Sequence, residues 1–145
     1  MLTAWYKHLK KLQKYYYKFD MSDLYHEDLL DEAKNPSNYG ELEAADVTTT
    51  QYNASCGDVI TVSVKFGVDS DSNERIISDI KWKGHGCIIS QASMSVLSEK
   101  IKGYSVEKLQ ELTQEEILTE LGLEEISMGR IKCLLLGLSA VKKVI

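Results

Sequence analysis

After a run of strands the hydrophobic period of this chain changes to that of a helix, and the change falls at a cysteine. From Val59 to Phe66, Ile60, Val62, Val64 and Phe66 recur at every second residue. After a polar turn from Gly67 to Asn73 the alternation resumes at Ile76, Ser78, Ile80 and Trp82. Period two belongs to a strand with one face on a core. Val47 to Tyr52, with three consecutive threonines, is β-prone as well. Beyond Cys87, residues Ile88, Ile89, Ala92, Val96, Leu97 and Ile101 share one helical face, and Gly103 ends the helix. Three consecutive strands with short connections predict an antiparallel meander, and strands followed by helices predict an α+β fold.

Further helices are read from their boundaries. Ser22 caps a segment running to about Ala33, Asn35-Pro36 stops it, and Asn38-Tyr39-Gly40 makes a turn. A short helix is predicted from Val106 to Leu112. Thr113-Gln114-Glu115-Glu116 is a capping box opening another, stopped near Gly122. The last helix runs from about Gly129 to the C-terminus with Ile131, Leu134, Leu135, Leu138 and Val141 inward. Lys100 and Lys102 complement the negative end of their own helix.

A length of 145 residues predicts one domain. The net charge of −5 disfavours a nucleic-acid partner, and no apolar run is long enough for a membrane span. No secretory signal is visible. Residues 1–20 differ from the rest, with five lysines against one aspartate and six aromatics. Leu2, Trp5, Leu9, Leu12, Tyr16 and Phe19 form an amphipathic stripe. Three readings remain for this segment: a partner-binding or interfacial helix, a helix packed on the domain, or a dispensable extension preceding Met21. We divide the chain into an N-terminal basic and aromatic extension, 1–20, and a domain, 21–145.

Every cysteine falls in a distinctive context: Cys56-Gly57-Asp58, Gly84-His85-Gly86-Cys87 and Arg130-Ile131-Lys132-Cys133. An odd number at wide spacing argues against a disulfide framework and for a reducing compartment, the cytoplasm. Cys56 and Asp58, two apart at the head of a strand, can share one side. Cys87 precedes a helix N-terminus, where dipole and N–H groups favour thiolate. Arg130 and Lys132 favour it at Cys133, whose sulfur is expected to be exposed beside them. Three thiolates and one carboxylate make a complete four-coordinate metal site, with Asp58 the hardest and most readily exchanged ligand. The competing reading is three unrelated core cysteines. His85 is either an alternative ligand or an exposed loop histidine. Asp69-Ser70-Asp71-Ser72-Asn73 opens like a calcium loop but has Glu74 and Ile80 where glycine and glutamate are required, and reads as a solvated turn.

In sequence order, Asp23-Leu24-Tyr25, Lys34-Asn35-Pro36, Asn38-Tyr39-Gly40, Ala54-Ser55-Cys56-Gly57-Asp58, Gly84-His85-Gly86-Cys87-Ile88-Ile89-Ser90-Gln91-Ala92-Ser93 and Arg130-Ile131-Lys132-Cys133 resemble the U-type iron–sulfur assembly family: IscU, SufU and the N-terminal domain of NifU. The resemblance implies a three-stranded antiparallel sheet packed with helices, with a metal site at one end. It implies a scaffold or sulfur acceptor rather than an enzyme. The partners it implies are a cysteine desulfurase and iron–sulfur acceptor or carrier proteins. The cofactor is a [2Fe–2S] cluster or Zn2+ on Cys56, Asp58, Cys87 and Cys133. Cys133 would be the sulfur acceptor, Asp58 the labile ligand and Arg130 a partner contact. The alternatives are a SufU-type zinc-dependent sulfurtransferase partner and a structural-zinc binding module. Lys132 stands where IscU proteins have histidine, and Ile126-Ser127-Met128-Gly129 replaces their chaperone-binding segment. The 45 residues between Cys87 and Cys133 leave no room for the SufU insertion. The site thus looks SufU-like on a compact IscU-like frame.

Overall fold

A computed structural model of the chain describes residues 29–54, 57–122 and 128–145. The 1–20 extension, the first part of the predicted Ser22 helix, Cys56, Ile126 and Ser127 lie outside them. The elements are β1 (Val47–Asn53), β2 (Asp58–Val68), β3 (Arg75–His85), α1 (Ile88–Lys100), α2 (Val106–Gln110), α3 (Gln114–Glu120) and α4 (Met128–Lys142). Residues 29–34 are helical and stop ahead of Pro36, as the sequence predicts.

The strands form an antiparallel sheet in the order β1-β2-β3. On one face Ile60, Val62 and Val64 are fully buried in the core. The other face is polar. There Thr50 and Thr61 hydroxyls lie 2.9 Å apart and Thr48 and Ser63 hydroxyls 3.0 Å apart across the strands. The outer edge of β3 is covered, because Trp82 N–H donates to Asn38 O at 3.0 Å and Gly40 N–H to Trp82 O at 2.9 Å. Among the described residues no strand pairs with the outer edge of β1.

Alternation in β3 departs from the sequence reading. Ile77, Ile80 and Trp82 are buried, whereas Ile76 is half-buried and Ser78 exposed. The register explains this. Lys65 faces Asp79 and Phe66 faces Ile77, so Ser78 is an extra residue in β3. Its hydroxyl donates to Lys65 O at 3.0 Å. A bulge of one residue exchanges the two faces of the strand beyond it. Phe66, which faces Ile77, is half-buried against the core, with the Arg75 guanidinium 3.7 Å over its ring.

Helix α1 is more deeply buried than an amphipathic stripe. Met94 and four serines, Ser90, Ser93, Ser95 and Ser98, are buried with Ile89, Ala92 and Leu97, while Ile88 and Val96 are half-buried. α2 is shorter than predicted. α3 opens as predicted, with Thr113 Oγ1 accepting from Glu116 N–H at 3.4 Å. In α4, Leu134, Leu138 and Val141 are buried as predicted, Ile131 and Leu135 half so, and Leu136, Ala140 and, just past the helix, Val144 join the core. A Cβ on Gly137 would lie 2.8 Å from Met94 Sδ, so the glycine lets α4 approach α1 closely. Lys100 and Lys102 do more than face a helix end. Lys100 Nζ bonds Glu120 at 2.9 Å, a hydrogen bond that raises its pKa above the usual lysine value, and Lys102 pairs with Glu99 at 3.2 Å.

The bulge supplies a direct test of which isoleucine is core. Ile77→Ala is expected to cost about 2–5 kcal/mol of unfolding free energy in chemical denaturation, as large-to-small core changes do. Ile76→Ala should cost clearly less. Equal losses, or the reverse order, would contradict the register.

Candidate metal centre

The end of the sheet where β2 begins and β3 finishes also receives the N-terminal portions of α1 and α4. Asp58 opens β2 on the core face, in one row with Ile60, Val62 and Val64, and is only 3% exposed. Cys87 is the N-cap of α1, with extended backbone (φ −71, ψ 165), and is half-buried. Cys133 lies in the second turn of α4. One ligand atom from each of Asp58, Cys87 and Cys133 falls within 4.8 Å of the others. Strand, helix cap and helix thus bring together three residues separated by most of the domain.

The carboxylate of Asp58 is held from one side. Its Oδ1 accepts the Cys87 backbone N–H at 3.2 Å. Its Oδ2 is buried and has no hydrogen-bond partner among the described residues. A buried carboxylate oxygen with no donor is costly, and a cation beside it removes the cost. Two thiol sulfurs at the same focus are suitable companions for zinc or iron. The donor set therefore fits a thiolate-binding metal.

Glycine makes this geometry possible. A Cβ on Gly86 would meet Asp58 Cγ and Oδ1, both at 2.5 Å, and Ser90 Oγ at 2.7 Å. A Cβ on Gly84 would run into the Val59 carbonyl oxygen. Gly57 has φ +72, a left-handed conformation that glycine adopts without strain, and its N–H donates to Asn53 O at 2.9 Å. Strand alternation therefore starts at Asp58. The period-two argument for Cys56 and Asp58 sharing a side does not extend across this turn, and Cys56 itself lies outside the described residues.

Two expectations are corrected. The cations around Cys133 led to the expectation of an exposed sulfur, yet Cys133 is 4% exposed. Helical phase accounts for it: Arg130 and Lys132 are exposed on the outer side of α4 while Cys133 turns inward with Leu134 and Leu136. His85 is exposed, as one of its two readings expects, but it is the last residue of β3, paired with Val59, rather than in a loop, and it is not among the Asp58–Cys87–Cys133 group. The Asp69 turn is the solvated turn expected, with Asp69 Oδ1 accepting from Asp71 N–H at 2.8 Å.

Sequence reasoning missed three neighbours of the site. Ser90, fully buried, donates to Cys87 O at 2.9 Å and lies 3.8 Å from the Cys87 sulfur. Asn53 is buried at the end of β1, with Nδ2 4.0 Å from Cys133 Sγ. Both are polar residues at positions that strand or helix period assigns to a core face, which is the signal that could have found them. The third is an open cleft of about 350 Å³ beside the site, lined in part by Gln51, Tyr52, Asn53, Lys132 and Leu136.

Comparison with known proteins gives a consistent picture. A family model described as the NifU-like N terminal domain matches residues 24–145. The IscU iron–sulfur cluster assembly scaffold protein of Thermotoga maritima is 31% identical over 137 residues, covering 84% of this chain and 92% of that protein. The mitochondrial iron sulfur cluster assembly protein 1 of Debaryomyces hansenii is 34% identical over 125 residues, covering 84% of this chain and 66% of its own length, just under two thirds. Among solved structures, a protein described as an iron–sulfur cluster assembly scaffold for the SUF system of Fervidobacterium islandicum superposes with a TM-score of 0.63 at 29% identity, over 81% of this chain and 93% of that one.

Proposed function

The chain belongs to the NifU-like N-terminal domain family of iron–sulfur cluster assembly scaffolds, and on that premise we propose that it accepts sulfur from a cysteine desulfurase and holds metal on Cys56, Asp58, Cys87 and Cys133. The observation that carries this reading is the buried Asp58 carboxylate, grouped with two cysteine sulfurs and with its Oδ2 lacking a hydrogen-bond partner among the described residues. It is a scaffold or carrier, not a catalyst with turnover of its own. Its thiols call for a reducing compartment, the cytoplasm in this reading. Residues 1–20 are an extension outside the 21–145 domain.

The roles divide by position. Cys56, Cys87 and Cys133 supply thiolates, and Asp58 supplies the hard, exchangeable ligand. Arg130, exposed in the first turn of α4, is a contact for the desulfurase or for an iron–sulfur acceptor protein. In sulfur transfer the Cys133 thiolate attacks the outer sulfur of the desulfurase's cysteine persulfide. A new S–S bond forms on Cys133, and the bond to the desulfurase breaks with its thiolate leaving with the electron pair. Cys133 is buried, so the donor approaches from the cleft bordered by Lys132 and Leu136. Exposure favours a second reading for this step, with Cys87 as first acceptor.

Two metals remain chemically admissible, and the cargo separates them. A [2Fe–2S] cluster assembled on the site makes the protein a scaffold in the strict sense. Stoichiometric Zn2+ makes it a SufU-type sulfurtransferase partner, to which the mixed thiolate–carboxylate set is equally suited. SufU-like character rests on Arg130-Ile131-Lys132-Cys133 and on the Ile89-Ser90-Gln91-Ala92-Ser93 run. Protein purified without oxygen is expected to contain iron and acid-labile sulfide with visible sulfur-to-iron bands. A colourless protein with one zinc per chain moves the assignment to the shuttle, and neither metal under any preparation would refute the site.

Incubation with a desulfurase and cysteine should add one sulfur atom to Cys133, seen by mass spectrometry of the tryptic peptide and removed by reductant. Labelling that persists in Cys133→Ser and vanishes in Cys87→Ser transfers the role to Cys87. For the exchangeable ligand, Asp58→Ala should keep its metal and release it to an acceptor protein about tenfold more slowly, one order of magnitude being about 1.4 kcal/mol of barrier. Transfer at the wild-type rate, with the fold intact, removes Asp58 from the exchange step.

A further inference from the structure

The structure assigns Asn53 as a positioning residue for the sulfur of Cys133. The inference rests on the reading of Asp58, Cys87 and Cys133 as a metal-holding set, and concerns how one of those sulfurs is held. Asn53 is the last residue of β1 and pairs in register with Asp58, so both side chains project from the same face at the same end of the sheet. Its backbone oxygen accepts Gly57 N–H at 2.9 Å, closing the turn into β2. Its side-chain Nδ2 lies 4.0 Å from Cys133 Sγ on α4, 80 residues away in sequence. One residue therefore joins the segment bearing Asp58 to the helix bearing the third cysteine, through two separate groups.

The chemistry of that contact is directional. Asparagine is 8% exposed here, at a position where β1 faces the helices, and a buried amide must find acceptors. A cysteine sulfur is a weak acceptor when protonated and a better one when ionised or metal-bound. An N–H···S bond fixes the rotamer of the sulfur and draws electron density from it. Such bonds are among the factors that set the potential of thiolate-ligated clusters. Asn53 also lines the cleft together with Lys132 and Leu136, neighbours of Cys133 on α4. The amide thus stands both on the sulfur and at the cleft through which a sulfur donor would approach.

The probe is Co2+, whose thiolate charge-transfer band reports electron density on sulfur and needs no assembled cluster. Asn53→Leu removes the donor while the Asn53 backbone contact to Gly57 remains. In the cobalt-loaded full chain it should move the sulfur-to-cobalt band to lower energy. In a Cys133→Ser background the same change should leave the residual band where it is, because the coupled sulfur is gone. An unmoved band in the single variant overturns the assignment while leaving the metal site standing. A shift of equal size in both backgrounds also overturns it, showing that Asn53 acts elsewhere. No cobalt–thiolate band in wild type would remove the metal site and this inference with it. A measurement on the unmodified chain covers the case in which Asn53→Leu does not fold. On Cd2+ loading, the Asn53 side-chain amide protons should shift downfield in the NMR spectrum, and should not in Cys133→Ser.

Discussion

A carboxylate sits at the end of an apolar row, and the surrounding structure accommodates it. Ile60, Val62 and Val64 are buried under the helices, and Asp58 continues their alternation into the same layer. An ionised group at such a place is costly unless it is paired. Cys87 N–H satisfies one oxygen. The other has no hydrogen-bond partner among the described residues, and the carboxylate lies within 4.8 Å of two sulfurs. Gly86 is part of the same solution, since any side chain there would collide with the carboxyl group. The start of β2, the end of β3 and the cap of α1 are fixed relative to one another by this one side chain.

The helical layer has its own device for bringing α4 close. Four serines of α1 are buried, and three return their hydroxyl to the helix they belong to: Ser90 to Cys87 O at 2.9 Å, Ser93 to Ser90 O at 3.1 Å and Ser98 to Ser95 O at 2.7 Å. Buried hydroxyls bonded in this way leave a narrow helix surface without unsatisfied groups. Gly137 of α4 lies against Met94 on that surface. Small residues on both helices set the approach, and the approach determines how far Cys133 reaches toward Asp58.

Much of this architecture is legible in the residues. The strand order, the switch of period at Cys87, the capping box at Thr113 and the cluster of Asp58 with two cysteines are all there to be read. What escapes has a physical reason in each case. Ser78 is absorbed in a bulge, which is a property of two strands paired together and invisible to either alone. The exposure of Cys133 was read from its charged neighbours, but on a helix adjacent residues point about 100° apart, so cations at Arg130 and Lys132 are compatible with a buried sulfur between them. Asn53 and Ser90 fall at core-face positions by period, but that Asn53 meets the sulfur of Cys133 is set by tertiary packing alone.

The separation of the ligands along the chain has a consequence for how the protein is made. Asp58 and Cys87 are joined by contacts that close within the sheet and the helix that follows it, but Cys133 enters from α4, with 45 residues between it and Cys87 in the chain. A chain emerging from the ribosome presents its first strands long before α4 can dock on them. During that interval the incomplete group offers a carboxylate and thiols with no helix to enclose them. The three-residue group Asp58–Cys87–Cys133 is therefore complete only once α4 has docked, and the order of synthesis itself delays its assembly.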